Sequence, residues 1–117
     1  MNLTQAYAAA RDLLKPLYVD SADVARSVKE GNVVGWQTVH TGIACHLSPD
    51  SIPVLNQGEQ IATAPSDYTV FCLPDEDIRE GDRLTITHLG ETSEYDVGTV
   101  HLYEINRVCK CRRRGIV

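Results

Sequence analysis

The four cysteines are the first candidates for chemistry in this chain of 117 residues. Cys109 and Cys111 are one residue apart, so on a strand their thiols point to the same face. Cys45 directly precedes His46, so on a strand those side chains point to opposite faces and cannot easily share a metal. Structural zinc takes four ligands in paired spacings, and no second pair is present. We predict no metal site and no cofactor, with Cys45 and Cys72 as small buried residues.

The acidic segment 75–82 (DEDIREGD) suggests a calcium-binding loop. An EF-hand loop has acids at positions 1, 3 and 5, Gly at position 6 and Glu at position 12. Counted from Asp75, positions 5, 6 and 12 hold Arg79, Glu80 and Ile86, so the pattern fails. We predict instead a solvated turn between two strands, with Gly81 permitting the tight bend.

Motifs of hydrolytic enzymes are missing from the sequence. It has no G-x-S-x-G elbow, and no Cys and His stand in the order or spacing of a nucleophile and its base. No Gly-rich loop precedes a helix, so nothing predicts a phosphate site. The histidines are scattered along predicted strands, where we expect surface or interface positions: His40, His46, His88 and His101. We therefore predict that the protein is not an enzyme.

The C-terminal end carries the basic patch of the chain. Five cations fall within eight positions: Arg107, Lys110, Arg112, Arg113 and Arg114. Residues 67–104 are the opposite, with ten acids against Arg79 and Arg83. This asymmetry has three interpretations. The basic end contacts DNA, it pairs with the acidic flank of a neighbouring copy, or it is a solvated strand and tail.

Composition is that of an ordinary globular protein, and we predict one domain over residues 1–117. Lys and Arg number 11 against 16 Asp and Glu, a net charge of −5 that disfavours general coating of nucleic acid. No leader pattern opens the chain. The longest segment without Asp, Glu, Lys or Arg, residues 31–49, is too polar to span a bilayer. We expect no membrane partner and reduced thiols.

One helix and several strands must position these residues. Apolar side chains at helical spacing predict an amphipathic helix over residues 3–15, capped by Asn2 and ended by Pro16, that packs on its own domain or binds a partner. A period of two then predicts strands at 22–28, 36–48, 67–73, 82–88 and 94–112, the last being one strand or two with a bend at Gly98. This order predicts a mainly β fold, a small β-barrel or barrel-like sandwich of about five to seven antiparallel strands. The helical part is residues 1–17 and the barrel 18–114.

Residues 49–66 follow neither period and contain three prolines, which predicts a long loop. Ile52, Val54, Leu55 and Ile61 make it more apolar than a solvated linker. Two interpretations stay open: the loop folds back over its own barrel, or it becomes ordered against a partner.

A longer pattern resembles the tailed-bacteriophage head-closure (head–tail joining, or connector) family. Residues 68–84 (YTVFCLPDEDIREGDRL) carry its apolar strand, proline–acid turn and Ile-x-x-Gly-Asp turn, and Gly90 and residues 94–97 (EYDV) follow in order. Residues 44–48 (ACHLS) look like the family's short strand ahead of its long loop. The resemblance covers residues 18–113, and the helix looks like an extension seen in prophage-like members.

The physical logic of this pattern can be read from its turn residues. Gly81 permits the tight turn, and Asp82 can bond backbone amides within it. Leu84 and Ile86 then enter the core. Tyr95 and Val97 would share a core face across a hairpin whose turn includes Gly90. We therefore expect Gly81, Asp82 and Gly90 to be structural residues.

The resemblance implies a structural role in a virion or prophage-like particle that is assembled in the host cytoplasm. Such proteins dock beneath the portal and adaptor ring, meet tail-terminator-type proteins, form a ring and retain DNA as cargo in the channel. The loop 49–66 would face that channel through Ile52, Val54, Leu55, Asn56, Gln57, Gln60 and Ile61.

The five basic C-terminal residues would then make subunit contacts. The alternative function is a small nucleic-acid-binding β-barrel that uses the basic C-terminal strand, with an affinity for DNA that falls steeply with salt. The family pattern does not account for the four cysteines or the arginine-rich end.

Overall fold

A computed structural model describes residues 2–50 and 67–114 of the protein. Helix α1 spans Leu3–Leu14 and continues into a short 3₁₀ turn, Lys15–Leu17. Six strands follow: β1 Asp20–Glu30, β2 Val33–Pro49, β3 Asp67–Cys72, β4 Arg83–His88, β5 Glu91–Leu102 and β6 Arg107–Arg113. The predicted strand at 94–112 is therefore two strands, and the predicted bend at Gly98 coincides with a register shift between Val97 and Val100.

The six strands form one closed antiparallel barrel in the order β1-β2-β3-β6-β5-β4. The ring closes where β1 pairs with β4, from Ser21↔Thr87 to Ala25↔Arg83. The prediction of a mainly β fold with antiparallel strands and one N-terminal helix is confirmed. Because strand residues alternate in direction, every second side chain enters the barrel.

The interior of the barrel is filled by aliphatic, aromatic and thiol side chains. The expected core residues Leu84, Ile86, Tyr95 and Val97 are all buried there. Val28 is only partly buried, because β1 runs past its last β4 partner before it reaches Val28. The buried cluster comprises Ala22, Val24, Ile43, Cys45, Leu47, Val70, Cys72, Ile78, Leu84, Ile86, Tyr95, Val97, Cys109 and Cys111.

Helix α1 begins with the predicted cap at Asn2. The Asn2 side chain accepts a hydrogen bond from the Gln5 amide, and the Gln5 side chain accepts one from the Asn2 amide, which is a complete capping box. The helix lies outside the barrel, where Arg11 Nη1 donates to the Glu104 carbonyl at 2.9 Å. A groove separates Leu14 from Phe71 on the outer face of β3. No residue of α1 is fully buried, so the helix touches its own barrel and still exposes apolar surface.

Two turns required by the predicted pattern have the expected backbone. Gly81 has φ +87°, and its amide donates to the Val97 carbonyl. The β4–β5 hairpin turns through Leu89 (φ +51°) and Gly90 (φ +82°), which is the arrangement of a type I′ turn. Gly is favoured at such positions because it has no Cβ to clash. Gly81 and Gly90 therefore have the backbone conformation that their predicted structural roles require.

Candidate functional site

Residues 26–37 form a two-stranded arm that extends beyond the barrel. Within it β1 and β2 pair from Arg26↔Gln37 to Glu30↔Val33. The β4 pairing of β1 ends at Ala25↔Arg83, just before the arm begins. The arm therefore leaves the barrel at the end opposite Asp50 and Asp67, which bound the segment between β2 and β3.

The arm exposes apolar side chains to solvent. Val33 and Val34 are 70% and 61% exposed, and Trp36 is 43% exposed. The Trp36 ring is partly covered by Arg83, whose guanidinium lies 3.8 Å from the ring centroid. Three large exposed apolar side chains on one short hairpin make the arm a candidate interaction site.

An ion-pair cluster joins the base of the arm to the turn between β3 and β4. Arg26 Nε donates to Asp82 Oδ1 at 2.9 Å, and Arg26 Nη2 donates to Asp82 Oδ2 at 2.8 Å. The Arg79 amide also donates to Asp82, as the predicted turn requires. The hydrogen bond to Asp82 raises the pKa of Arg26, so this side chain stays charged. The cluster fixes the direction in which the arm leaves the barrel.

Asp77 extends the same cluster to both β1 and β2. His40 Nε2 lies 3.0 Å from Asp77 Oδ2, and Arg26 Nη1 donates to the same oxygen at 3.2 Å. Arg79 Nε donates to the other carboxylate oxygen at 2.9 Å. The contact with His40, followed by those with Arg79 and Arg26, holds the pKa of Asp77 well below its usual range. Asp77 is therefore a charged link between the turn and β2.

The expectation of a solvated turn over residues 75–82 is wrong for Ile78 and Asp82, which are both buried. The Asp82 side chain is buried, because the Arg26 fork covers both of its oxygens. Asp82 accepts one backbone hydrogen bond within the turn, from the Arg79 amide. The sequence did not reveal Arg26 as its partner, because the two residues are distant in the chain.

Most of the basic C-terminal residues are engaged with acids or carbonyls of the same chain. Lys110 Nζ donates to Thr69 and lies 3.4 Å from Asp50 Oδ2, while Arg112 Nε lies 3.3 Å from Asp67 Oδ1. Each pair places a carboxylate beside a cation at the barrel surface, so the net positive charge of the basic patch is reduced.

Arg114 and Arg107 are less exposed than Lys110 and Arg112. Arg114 Nη1 donates to Asp96 Oδ1 at 2.9 Å. Arg107 is half-buried, and its fork donates to the carbonyls of Pro74 and Ile78. Arg113 has no side-chain hydrogen bond or ion pair with residues 2–50 or 67–114. Most cations of the basic C-terminal end therefore contact acids or carbonyls of the same chain.

Within the described ranges, no group of three or more His, Cys, Asp or Glu side chains is arranged to hold a metal ion. All four thiols are buried and unpaired. Burial raises the pKa of Cys45 to about 12, so its thiol is not a ready nucleophile. His88 Nδ1 lies 2.6 Å from the buried Asp20, whose other oxygen accepts the Leu47 amide and links β4 to β1 and β2. Because Asp20 connects three strands in this way, the contact stabilises the barrel.

The predicted channel loop cannot be placed. Its candidate residues lie outside the described part of the chain: Ile52, Val54, Leu55, Asn56, Gln57, Gln60 and Ile61. In residues 2–50 and 67–114, no helix has the length and hydropathy needed to cross a bilayer.

The fold defined above, a six-stranded barrel with an N-terminal helix, has a counterpart among solved structures. It is similar to the phage-like element PBSX protein xkdH from Bacillus subtilis, with a TM-score of 0.58. The two share 13% identity over 82% of this chain and 95% of that chain. The likeness is one of fold. The sequence matches no protein-family model and no curated protein, so membership of the head-closure family stays a prediction.

Sequence reasoning missed the arm as a feature. It expected the second strand to begin at residue 36, whereas β2 begins at Val33 and pairs with β1 up to the turn. Two signals were present: the Glu30-Gly31-Asn32 turn and the uncharged segment 31–49. The uncharged segment had served only to exclude a membrane span.

Proposed function

We propose that this chain is a structural subunit of a phage or prophage-like particle, acting in the neck as a head-closure or head–tail connector protein. The carrying observation is the fold shared with xkdH, a protein of a phage-like element, over 82% of this chain. The ordered pattern of residues 68–84, Gly90 and residues 94–97 supports the same role from the sequence. In this role the chain contacts the portal or adaptor ring on one side and the tail on the other.

The arrangement of the barrel suits a joining role. The arm leaves one end of the barrel, and Asp50 and Asp67, which border the segment between β2 and β3, lie at the other. A subunit with two distinct ends can contact a different ring at each end. The proposed activity is therefore mechanical, and it assigns no catalytic residue to the chain.

Deletion of the gene in the host that makes the particles tests this proposal. We expect electron micrographs of induced cells to show separate tails beside heads that have lost their DNA. Re-expression of the wild-type chain restores joined, filled particles. Normally joined, DNA-filled particles in the deletion strain would contradict the proposal.

The nucleic-acid-binding alternative is weakened by the ion pairs of the basic end. Asp67 and Asp96 hold Arg112 and Arg114, and a cation that is already paired gains less by releasing counterions from DNA. Measurement of the affinity of the purified protein for duplex DNA separates the two functions. Steeply salt-dependent binding would favour the alternative.

A further inference from the structure

We propose that the arm joins neighbouring copies of this chain edge to edge, with β2 of one copy pairing with β1 of the next. The inference deepens the proposed function and rests on it, because such a contact builds a ring of identical subunits. It names residues 26–30 and 33–40 as the two sides of the contact.

Both edges of the arm are open within the described residues. On β2, residues 33–44 pair with β1 alone, because the β3 pairing begins at Cys45↔Cys72. On β1, residues 26–30 pair with β2 alone, because the β4 pairing ends at Ala25↔Arg83. Each edge presents a row of backbone N–H and C=O groups. Since a two-stranded ribbon is marginal in water and a third strand stabilises it, the arm is structurally incomplete.

The β2 edge lacks the usual protection against pairing. Exposed edges commonly carry charges or proline, which prevent another strand from adding to them. Residues 33–44 contain no charged residue and no proline. Val33, Val34 and Trp36 are instead exposed along this strand. These features together indicate an edge that another strand covers.

Charge favours a second copy as the partner. The β1 edge carries Lys29, Glu30 and the base residue Arg26, whereas the β2 edge carries no charge. Pairing β2 with β1 of the next copy therefore brings no like charges opposite each other in any register.

Geometry favours a repeating contact over a dimer. Pairing of two β2 edges would use one edge of each arm and leave both β1 edges open. Pairing of β2 with a neighbouring β1 uses both edges of every arm, and it runs antiparallel when the copies are related by rotation. Such a heterologous contact repeats until a ring closes. The Arg26 cluster supports closure, because it fixes the direction of the arm relative to the barrel.

Photo-crosslinking tests the contact directly. Thr38 lies in the exposed part of β2, and we replace it with benzoylphenylalanine in the full chain. We expect crosslinks from position 38 to peptides that contain residues 26–30 of another copy, in the purified protein at high concentration or in intact particles. The control places the same group at Thr87, which is exposed on a strand paired on both sides, and we expect no such crosslink there. Absence of the 38-to-26–30 crosslink in both samples would overturn the proposal.

A backbone variant gives a second test. Glu30↔Val33 closes a two-residue turn, so the alternation of the ladder points the Val34 amide N–H toward the open edge. Val34→Pro removes that donor without removing a bond to β1, and Val34→Ala removes the side chain alone. We expect Val34→Pro to abolish crosslinking and assembly at unchanged circular dichroism, and Val34→Ala to retain most of both. Equal assembly of the two variants would contradict strand pairing.

Failure of this inference can be distinguished from failure of the proposed function. If gene deletion gives separate heads and tails but Val34→Pro assembles normally, the neck role stands and the edge contact is wrong. If deletion leaves particles intact while the purified protein forms the predicted crosslink, the edge contact stands and the neck role is wrong.

Discussion

Arg26 and Asp82, 56 residues apart in the chain, form a two-pronged ion pair at the base of the arm. Both nitrogen–oxygen distances are below 3 Å, which is the geometry of a strong charge-assisted contact. Asp82 also closes the turn that precedes β4. One carboxylate therefore connects the turn to the strand that leads into the arm. This contact is the structural role of Asp82 in the Gly81-Asp82 turn.

Replacement of Asp82 by Asn tests how much this ion pair contributes to the free energy of unfolding. The Arg26 charge would lose its bidentate partner at a site where the Asp82 side chain is 2% exposed. Because Arg26 itself is partly solvated, we predict a loss of about 2–3 kcal/mol in the free energy of unfolding, below the full cost of a buried charge. Urea denaturation followed by circular dichroism measures it. Asp75→Asn, at an exposed position of the same turn, is the control, and an equal loss in both variants would contradict the account.

The stability of the protein should depend on Asp77 at acid pH. Its folded-state pKa is lowered, first by the His40 contact, so the native state holds the charged form more strongly than the unfolded chain does. Its contribution is complete above the unfolded pKa of about 3.9 and is lost as the pH falls toward the lower folded value. We predict that the urea concentration at the unfolding midpoint falls less steeply with decreasing pH in Asp77→Asn than in the wild type. Parallel curves for the two proteins would count against the contact.

The β4–β5 turn offers a stabilising substitution. Leu89 has φ +51° and is 87% exposed, so it bears backbone strain without contributing to the core. Asn tolerates this conformation, and we predict that Leu89→Asn raises the unfolding free energy by about 0.5–1 kcal/mol. Gly90→Ala should lower it by about 1 kcal/mol, since φ is +82° there. Thermal denaturation of both variants checks the turn type, and opposite signs are required.

The ion pairs of the basic end predict how the protein behaves toward free DNA. We expect negligible affinity of the wild type for duplex DNA. Asp67→Asn combined with Asp96→Asn should release Arg112 and leave Arg114 with only its 3.9 Å contact to Glu94. The salt dependence of DNA binding should then steepen by about one to two phosphate contacts. Fluorescence anisotropy measures the slope. Asp75→Asn with Glu91→Gln removes the same charge without releasing either arginine, so equal binding by both double variants would refute the role of these pairs.

The barrel was predictable because its signals are local. Alternation at Leu84 and Ile86, the helical spacing in residues 3–15 and the turn glycines each depend on a few neighbouring residues. Local pattern also placed the thiols of Cys109 and Cys111 on one face, and both are buried.

The arm and its ion-pair cluster were not predictable in this way. β2 carries register shifts opposite residues 22–25, which interrupt the simple period of two near Gly42. Whether a strand edge is covered depends on its neighbours in the barrel, which alternation along one strand does not encode. The Arg26–Asp82 pair joins two distant segments, and neither residue alone indicates the other.

Location of the chain within intact particles tests the central claim most directly. A small affinity tag at the C-terminus, labelled with gold on purified particles, can be imaged by electron microscopy. The proposed function predicts label at the junction of head and tail in joined, infectious or induced particles. Label along the tail or over the head shell, or particles that contain none of this chain, would contradict it.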